Sequence, residues 1–561
     1  MTIIVIILAL LCIYKIEIAD KGHFFPDYIS KEKTIAVEGV FVVLVFIRHF
    51  FRYDFPVGQY DGFAQTLDSS STQLIVTLFL FYSGFGVMES IRRKGYKLYT
   101  KTLPSKAIKL LLRFDVAIIL FLLVNAYFGK TYSIKQILMS LICWESVGNS
   151  NWYVLIIIVL YLISWISFSV FKKNIILAIS LVTGLSVMVV FLIRIAKMEF
   201  WYNTIICYPL GMWYSLLRSS FYTNKKQKES NITRNNVLYI FVLFCTVLLY
   251  ALTYSHRADT LWTYYAWSCM FVCIVILITM KVSFNNAFLQ LMGKHVFSIY
   301  ILQRIPMIIL QKAGYLTNHP YLSFVISFVA TVFIAIIFDY VMQQIDQTWN
   351  KKVKTKFSSG EKSDDNIQPV SSINNTKPVS VILLLCLTIV VILISPMICS
   401  GDRTVTITAL AEKNDSSLMS DIFLKRIKMN NQKISILQPS SGNWVWYKDH
   451  YCWLENSESR IKETITNDIT MHLSLQNNTQ LIFSGNKWKG KLVVKADEWE
   501  KKVDTYVDDG DWNDIVVTLP DPTVEQIVKH AILPGICFIA LMLICGLLSS
   551  AFSFDIKRKH L

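Results

Sequence analysis

About thirteen apolar stretches, each roughly 20 residues long, recur along this chain of 561 residues. Hydrophobic residues make up 54% of the sequence, a high share for a soluble domain. A helix of about 20 apolar residues crosses the roughly 30 Å of hydrocarbon in a bilayer, so each stretch predicts a transmembrane helix. We therefore expect an all-α polytopic membrane protein, with spans near residues 2–18, 34–52, 73–91, 112–128, 152–171, 174–194, 199–217, 236–254, 262–280, 288–311, 321–345, 380–399 and 529–552.

The lysines and arginines lie in alternate connections between the predicted spans. Cytoplasmic loops carry an excess of basic residues, so these connections are predicted to face the cytoplasm. Thirteen spans place all of them on that side and place residues 401–527 on the other. The formal net charge of +16 therefore indicates membrane topology and not a nucleic-acid partner. The basic connections fall at residues 92–109, 172–173, 225–228, 351–356 and 557–559.

Composition divides the chain into six segments. The first apolar stretch lacks a basic n-region and a small-residue cleavage site, so we interpret it as a retained anchor and not a signal peptide. A polar stretch rich in lysine, serine and asparagine follows the last core span and is typical of a linker. In chain order, the segments are an N-terminal membrane anchor and cytoplasmic loop (1–33), a transmembrane core of ten helices (34–345), a cytoplasmic linker (346–378), a transmembrane helix (379–400), a β-rich domain outside the cytoplasm (401–527), and a C-terminal transmembrane helix with a basic cytoplasmic tail (528–561).

Residues 401–527 change from long apolar runs to short alternating ones. Alternation of apolar and polar residues between turn residues predicts strands, here at 404–408, 433–437, 491–495 and 514–518. These predicted strands indicate a small β-sandwich. Its six tryptophans either bind sugar rings or fill the sandwich core, and the core is the more common place for such rings. The acidic run Asp508–Asp514 lacks the spacing of an EF-hand, so we interpret it as a turn and predict no metal site.

Glu38 and His49 are ionisable residues in one predicted membrane helix. They are eleven residues apart, which brings them within about 20° of the same helix face and roughly 16 Å apart along its axis. Ionisable groups are costly in a membrane and therefore mark functional candidates. A near-neutral imidazole can act as a general base that deprotonates a hydroxyl. The alternative is that His49, with Arg48 and Arg52, forms a polar helix end at the interface.

Further motifs follow along the core in a fixed order. They are the helix Gly39–His49, the Phe-rich segment Phe79–Phe85 with Ser83-Gly84, the basic pair Lys106 and Lys109, the helix start Asn151-Trp152-Tyr153, and the segment Met292–Leu302. Their order and their placement resemble the membrane acyltransferase-3 family of bacteria over most of residues 34–345. None of the motifs is specific alone.

The resemblance implies transfer of an acyl group, most often acetyl from a cytoplasmic acyl-CoA, to a carbohydrate hydroxyl at or beyond the bacterial cell membrane. His49 and Glu38 would be catalytic, with His49 as the base. The donor phosphates would bind Lys106, Lys109, Arg92 and Arg93, although these residues also fit ordinary topology charges. Candidates for the acceptor site or for structure are Arg48, Ser83, Gly84, Trp152, Tyr153, Gln303 and Arg304. Membrane lipid and a carbohydrate acceptor are the implied partners. No bound cofactor is implied beyond the donor substrate, acetyl-CoA or another acyl-CoA.

The chain departs from the family pattern at three positions. Glu38 stands where the family usually has arginine, Ile157 where many members have glutamate, and Gln303 where many have histidine. Either Arg48, Arg52 or Arg304 substitutes for the missing cation, or the core has lost catalysis; we favour a divergent enzyme. The competing interpretations are a transporter or glycan-export partner with a polar path, and a glycan sensor. The acyl group, the acceptor and the oligomeric state stay open.

Overall fold

The computed structural model describes residues 1–357 except 56, 57, 59, 72, 173, 226–231 and 258–260, and residues 402–558 except 431, 435–438, 448–449, 462–463 and 509–511. The predicted linker lies outside the described residues from position 358 onward, and so does the predicted transmembrane helix at 379–400. The described residues form two compact units. One holds residues 1–186, 203–357 and 541–558, and the other holds residues 187–202 and 402–540.

Helices dominate the chain before residue 358. In chain order they are α1 (Thr2–Ile13), α2 (Lys31–Phe50), α3 (Gly62–Ser71), α4 (Leu74–Lys94), α5 (Tyr96–Tyr127), α6 (Ile134–Leu141), α7 (Trp152–Val170), α8 (Ile175–Ala196), α9 (Cys207–Lys225), α10 (Ile232–Ser255), α11 (Leu261–Lys281), α12 (Ala287–Lys294), α13 (Val296–Leu302), α14 (Arg304–Lys312), α15 (Tyr315–Asn318) and α16 (Pro320–Phe357). Two short strands, β1 (Ile16–Ile18) and β2 (Val282–Phe284), accompany them.

The predicted membrane class is confirmed. Seven segments of the described residues are long and apolar enough to cross a bilayer: Leu74–Lys94, Trp152–Val170, Ile175–Ala196, Asn236–Ser255, Leu261–Lys281, Pro320–Gln347 and Val524–Leu548. The predicted span 2–18 is shorter than expected. Helix α1 has 12 residues and is about 18 Å long, well short of the roughly 30 Å of a bilayer core.

The segment that follows α1 pairs with a strand that is far from it in sequence. Strand β1 pairs antiparallel with β2. Asn286, just beyond β2, donates through Nδ2 to the carbonyl oxygens of Leu11 (3.2 Å) and Tyr14 (2.9 Å). Its Oδ1 accepts from the backbone N of Leu289 at 2.8 Å. Asn286 therefore caps the start of α12 and holds the end of α1 with the same side chain.

The single helix predicted at 288–311 is interrupted. The structure divides it into α12, α13 and α14; Gln303, between α13 and α14, keeps right-handed helical dihedrals, with φ −55° and ψ −26°. His295 leaves helical geometry, with φ −106° and ψ 17°, and its Nδ1 lies 2.6 Å from Asp339 Oδ2 of α16. Interrupted membrane helices are common where a bundle forms a binding site.

Close helix crossings depend on glycines. A Cβ at Gly84 of α4 would lie 2.0 Å from the carbonyl oxygen of Tyr208 of α9, and a Cβ at Gly293 of α12 would lie 1.8 Å from that of Ile35 of α2. Small residues let membrane helices approach until their backbones touch. These contacts fix α4 against α9 and α2 against α12.

Residues 402–518 form the predicted sandwich. One sheet has four strands in the order β11-β10-β3-β8, and the other has the order β12-β9-β4-β7-β6 with β5 paired to β4. Side chains of both sheets share one core, including Ile407, Leu424, Phe483 and Val494. The strands are β3 (Asp402–Lys413), β4 (Ile422–Met429), β5 (Gln432–Ile434), β6 (Val445–Tyr447), β7 (His450–Trp453), β8 (Asp468–Ser474), β9 (Gln480–Gly485), β10 (Gly490–Ala496), β11 (Trp499–Asp504) and β12 (Asn513–Thr518), with helix α17 (Ser457–Ile461) before β8. Helices α18 (Val524–Ile527) and α19 (Leu533–Arg558) follow, joined by a π-helical turn.

The six tryptophans of the sandwich divide evenly between core and exposed positions. Trp444 and Trp453 are buried in the core, and Trp499 packs against it. The side chains of Trp446, Trp488 and Trp512 are exposed. Trp512 stacks on Phe423 with ring centroids 5.7 Å apart. The core therefore accounts for only part of the aromatic content.

Candidate active site

Helix α2 carries both the predicted acid and the predicted base. The Ser30 hydroxyl accepts from the backbone N of Lys33 at 3.4 Å and caps the helix start. Glu38 and His49 are both half-buried, while most apolar residues of α2 are buried. Each of the two interacts with side chains of other helices in the same unit. The sequence periodicity therefore identifies the interior face of α2.

His49 lies among residues from the loop before α7 and from the broken helix. Its Nε2 is 3.5 Å from Ser150 Oγ, and its ring centroid is 6.2 Å from that of Tyr300. The side chains of Gln303 and Arg304 also interact with the imidazole. The structure thus joins two of the predicted acceptor-site residues, Gln303 and Arg304, to the predicted base.

Several polar atoms around the imidazole lack a hydrogen-bond partner. Among the described residues, His49 Nδ1, Gln303 Oε1 and Arg304 Nε are buried and unpaired. A buried polar atom that stays unpaired costs about 1–3 kcal/mol. The side chains of His49 and Gln303 interact with each other, whereas Arg304 Nε is a donor that a polar ligand can satisfy.

Two of the arginines proposed as substitute cations have different environments. Arg48 Nη1 donates to the carbonyl oxygen of Asp68 (2.7 Å) and to Ser71 Oγ (3.4 Å). Its guanidinium is also 3.9 Å from the Asp68 carboxylate. Arg304 Nη1 donates to Gly148 O at 3.4 Å, and no carboxylate of the described residues pairs with it. Arg48 therefore anchors α3, whereas Arg304 is the cation beside His49.

Glu38 lies nearer the start of α2 than His49 does, close to tyrosines of α4 and α7. It interacts with Tyr82, Tyr153 and Tyr161. Ser83 interacts through its hydroxyl with both Tyr153 and Tyr161. Tyr153 also packs against Tyr300, with ring centroids 5.6 Å apart. Aromatic side chains therefore connect the surroundings of Glu38 with those of His49.

Two more predicted residues serve the packing of this region. Trp152 begins α7, is buried, and packs edge-on against Tyr153 with centroids 6.0 Å apart. Gly84 allows α4 to touch α9 at Tyr208. Both residues hold helices that carry the candidate side chains.

The predicted donor-binding cations are a mixed set. Lys109 Nζ is 3.7 Å from Asp346, and Arg92 is 2.9 Å from Glu89. Lys106 is exposed, with its ammonium 4.8 Å from the Tyr99 ring centroid. Arg93 is 79% exposed and lies 4.0 Å from Glu89. Phosphate binding by these residues stays a prediction, and Lys106 and Arg93 are the more accessible of the four.

A buried ionic network was not predicted. Asp339 of α16 accepts from Ser298 Oγ at 2.6 Å, and its Oδ2 lies 2.6 Å from His295 Nδ1. Arg113 of α5 bridges Asp339 (3.5 Å) and Asp346 (2.9 Å). An aspartate inside the apolar run of α16 was the sequence signal that could have identified it.

A protein-family model described as an acyltransferase domain matches residues 36–340, more than half of the chain. No curated protein matches the chain, and no solved structure does. The matched range contains His49, Ser150 and Arg304 and agrees with the order of motifs in the sequence. The chain therefore belongs to the acyltransferase-3 family of membrane acyltransferases.

Proposed function

We propose that the protein transfers an acyl group, acetyl from an acyl-CoA, to a hydroxyl of a cell-surface or lipid-linked polysaccharide. The observation that carries the proposal is the Arg304 cation beside His49, whose Nε is buried and unpaired among the described residues, inside the range matched by the acyltransferase model. A thioester carbonyl can accept a hydrogen bond from this donor while an acceptor hydroxyl approaches His49 Nε2.

In the proposed reaction, His49 and Arg304 have separate roles. His49 Nε2, the nitrogen that faces Ser150, takes the proton of the acceptor hydroxyl as its oxygen attacks the thioester carbonyl. The C–O bond forms, the C–S bond breaks, and the imidazolium returns the proton to the leaving thiolate. Arg304, the cation beside His49, stabilises the oxyanion that develops on the carbonyl oxygen.

Donor binding is proposed for the basic connection around residues 92–109. Lys106 and Arg93 are accessible enough to meet the phosphates of a coenzyme. Arg92 and Lys109 already pair with carboxylates, so they would contribute only by exchanging Glu89 and Asp346 for phosphate. Glu38 has a carboxyl group where the family usually has arginine, so it does not supply a cationic contact.

The pairings within each unit support the proposed sidedness in the bacterial cell membrane. Strand β1 lies at the predicted cytoplasmic end of the span 2–18, strand β2 lies in a connection predicted to be cytoplasmic, and the two strands pair. Asn477 of the sandwich donates its backbone N–H to Ile195 O at 3.0 Å, and both positions are predicted to lie outside the cytoplasm. The sandwich would recognise or present the acceptor carbohydrate there, and the exposed ring of Trp512 is a suitable contact for a sugar.

The experiment compares surface glycans from a deletion strain complemented with wild type, His49→Ala or His23→Ala at matched protein levels. His23 is an exposed histidine outside the site and serves as the control. We expect mild alkali to release ester-linked acetate from the wild-type and His23→Ala strains only. Equal acetate from His49→Ala would show that His49 is not the base. No acetate in any strain would reject acetyl transfer and favour transport or another acyl group.

A further inference from the structure

Gln303 lies between α13 and α14, beside the proposed base. Its side chain is fully buried, at 0% exposure. Gln303 Nε2 donates to the carbonyl oxygen of Tyr300 at 3.1 Å. A carbonyl oxygen can only accept a hydrogen bond, so the amide atom that faces Tyr300 must be the nitrogen. This contact fixes the amide and leaves Oε1 as an acceptor toward the interior of the site.

The imidazole of His49 has one nitrogen with a neighbour and one without. Nε2 faces Ser150 Oγ, whereas Nδ1 is buried and unpaired among the described residues. Gln303 Oε1 is also buried and unpaired, and the two side chains interact. The other charged groups that act on His49 are Arg304, Arg48 and Arg52. These are donors only and cannot accept a proton from Nδ1–H.

The tautomer of the imidazole decides whether it can act as the base. A neutral imidazole carries one N–H, and the nitrogen without hydrogen is the one that can accept a proton. The base at Nε2 therefore needs its hydrogen on Nδ1. Catalytic hydrogen bonds are often long in a ligand-free site and tighten when substrate binds.

We propose that Gln303 is a positioning residue that accepts Nδ1–H of His49 through Oε1 and so presents the Nε2 lone pair to the acceptor hydroxyl. The inference rests on the proposed function, because it assigns the orientation of the same base. It adds a requirement that the family match does not state: the residue at position 303 must be a hydrogen-bond acceptor.

Two variants of similar size isolate that requirement. Gln303→Glu and Gln303→Met both lose the amide donor to Tyr300, but only glutamate keeps an acceptor for Nδ1–H. We expect Gln303→Met to lower kcat about 10²-fold or more, the scale of misplacing a general base, with KM within about 3-fold of wild type. We expect Gln303→Glu to stay within about 10-fold of wild type, because its carboxylate accepts the same hydrogen bond.

The pH profile provides a readout that a purely structural role would not move. A carboxylate at position 303 favours the protonated imidazole, so the acid limb of kcat/KM for Gln303→Glu should move to higher pH. The measurement uses the purified full-length protein with acetyl-CoA and a polysaccharide acceptor isolated from the deletion strain. If Gln303→Met and Gln303→Glu lose the same activity, or if the acid limb does not move, the inference is wrong.

The same assay separates this inference from the proposed function. An active His49→Ala would reject His49 as the base and the positioning role with it. An inactive His49→Ala with a fully active Gln303→Met would leave the base in place and reject only the role of Gln303. Both variants inactive and Gln303→Glu active would support the two together.

Discussion

The crossing of α4 and α9 predicts a large difference between two glycine substitutions on one helix. A Cβ at Gly84 would lie 2.0 Å from the carbonyl oxygen of Tyr208, whereas a Cβ at Gly86 would meet nothing within 4 Å. Ordinary contact begins near 3.4 Å, so Gly84→Ala requires the two backbones to separate by about 1.4 Å. Neither contacting atom belongs to a flexible side chain, and rotamer changes therefore cannot relieve the overlap.

The two substitutions should change the free energy of unfolding in opposite directions. Overpacking of a close-packed interior costs about 1–3 kcal/mol, and Gly84→Ala should fall near the upper end because backbone must move. Gly86→Ala should instead stabilise α4 by about 0.5–1 kcal/mol, since alanine favours helix over glycine. The two variants differ by the position of one methyl group, so composition and hydropathy are matched.

The measurement is thermal unfolding of the full-length protein in detergent, followed by helical circular dichroism. We expect the midpoint of Gly84→Ala to fall and that of Gly86→Ala to stay or rise. Acyl transfer should fall with Gly84→Ala as well, because α4 also carries Ser83, which interacts with Tyr153 of the site. Equal midpoints for the two variants would refute the close crossing.

Four further predictions concern ionisable groups. Asp339→Ala should lower stability by about 3–5 kcal/mol because it leaves buried partners unpaired. Lys109→Met should cost only about 0–1 kcal/mol, because its pair with Asp346 is partly exposed; equal thermal unfolding midpoints for Asp339→Ala and Lys109→Met would contradict this difference. Burial raises the pKa of the Cys452 thiol to about 12, so iodoacetamide at pH 8 should label it only after unfolding, and labelling of native protein would contradict its burial. Burial acts to raise the pKa of Asp514, but its ion pairs with Lys425 and Arg426 prevail and lower it. The stability from these pairs should be present above the ordinary aspartate pKa and be lost as pH falls through the lowered value. An acid-unfolding midpoint identical in Asp514→Asn would contradict this.

The face that a residue occupies on its own helix or strand was predictable, because the periods of helices and strands are local. Spacing alone places Glu38 and His49 on the interior face of α2, and alternation alone places β3 and β10 in the sandwich. Partners from distant segments were not predictable. Lys109 and Asp346 are 237 positions apart, and nothing in a basic connection indicates that a carboxylate of α16 already occupies one of its cations.

The cation that lies beside His49 could not be predicted for the same reason, because it comes from a distant segment of the chain. Arg48 is next to His49 in sequence, yet it bonds to Asp68 and Ser71 of α3. Arg304 is 255 positions away and lies beside the imidazole, because the start of α14 packs near α2 in the folded bundle. Neighbours along a helix point to different sides, so proximity in sequence is a poor guide to which charge acts on a base.

The pairing of β1 with β2 affects how the acyltransferase domain can be exchanged between proteins. The family match begins at residue 36, but β1 and the end of α1 precede it. A chimera joined at residue 36 would leave β2 as an open strand edge and Asn286 Nδ2 without the carbonyl oxygens of Leu11 and Tyr14. The smallest portable unit therefore begins upstream of the matched domain, and residues 11–35 should be inherited together with the core they complete.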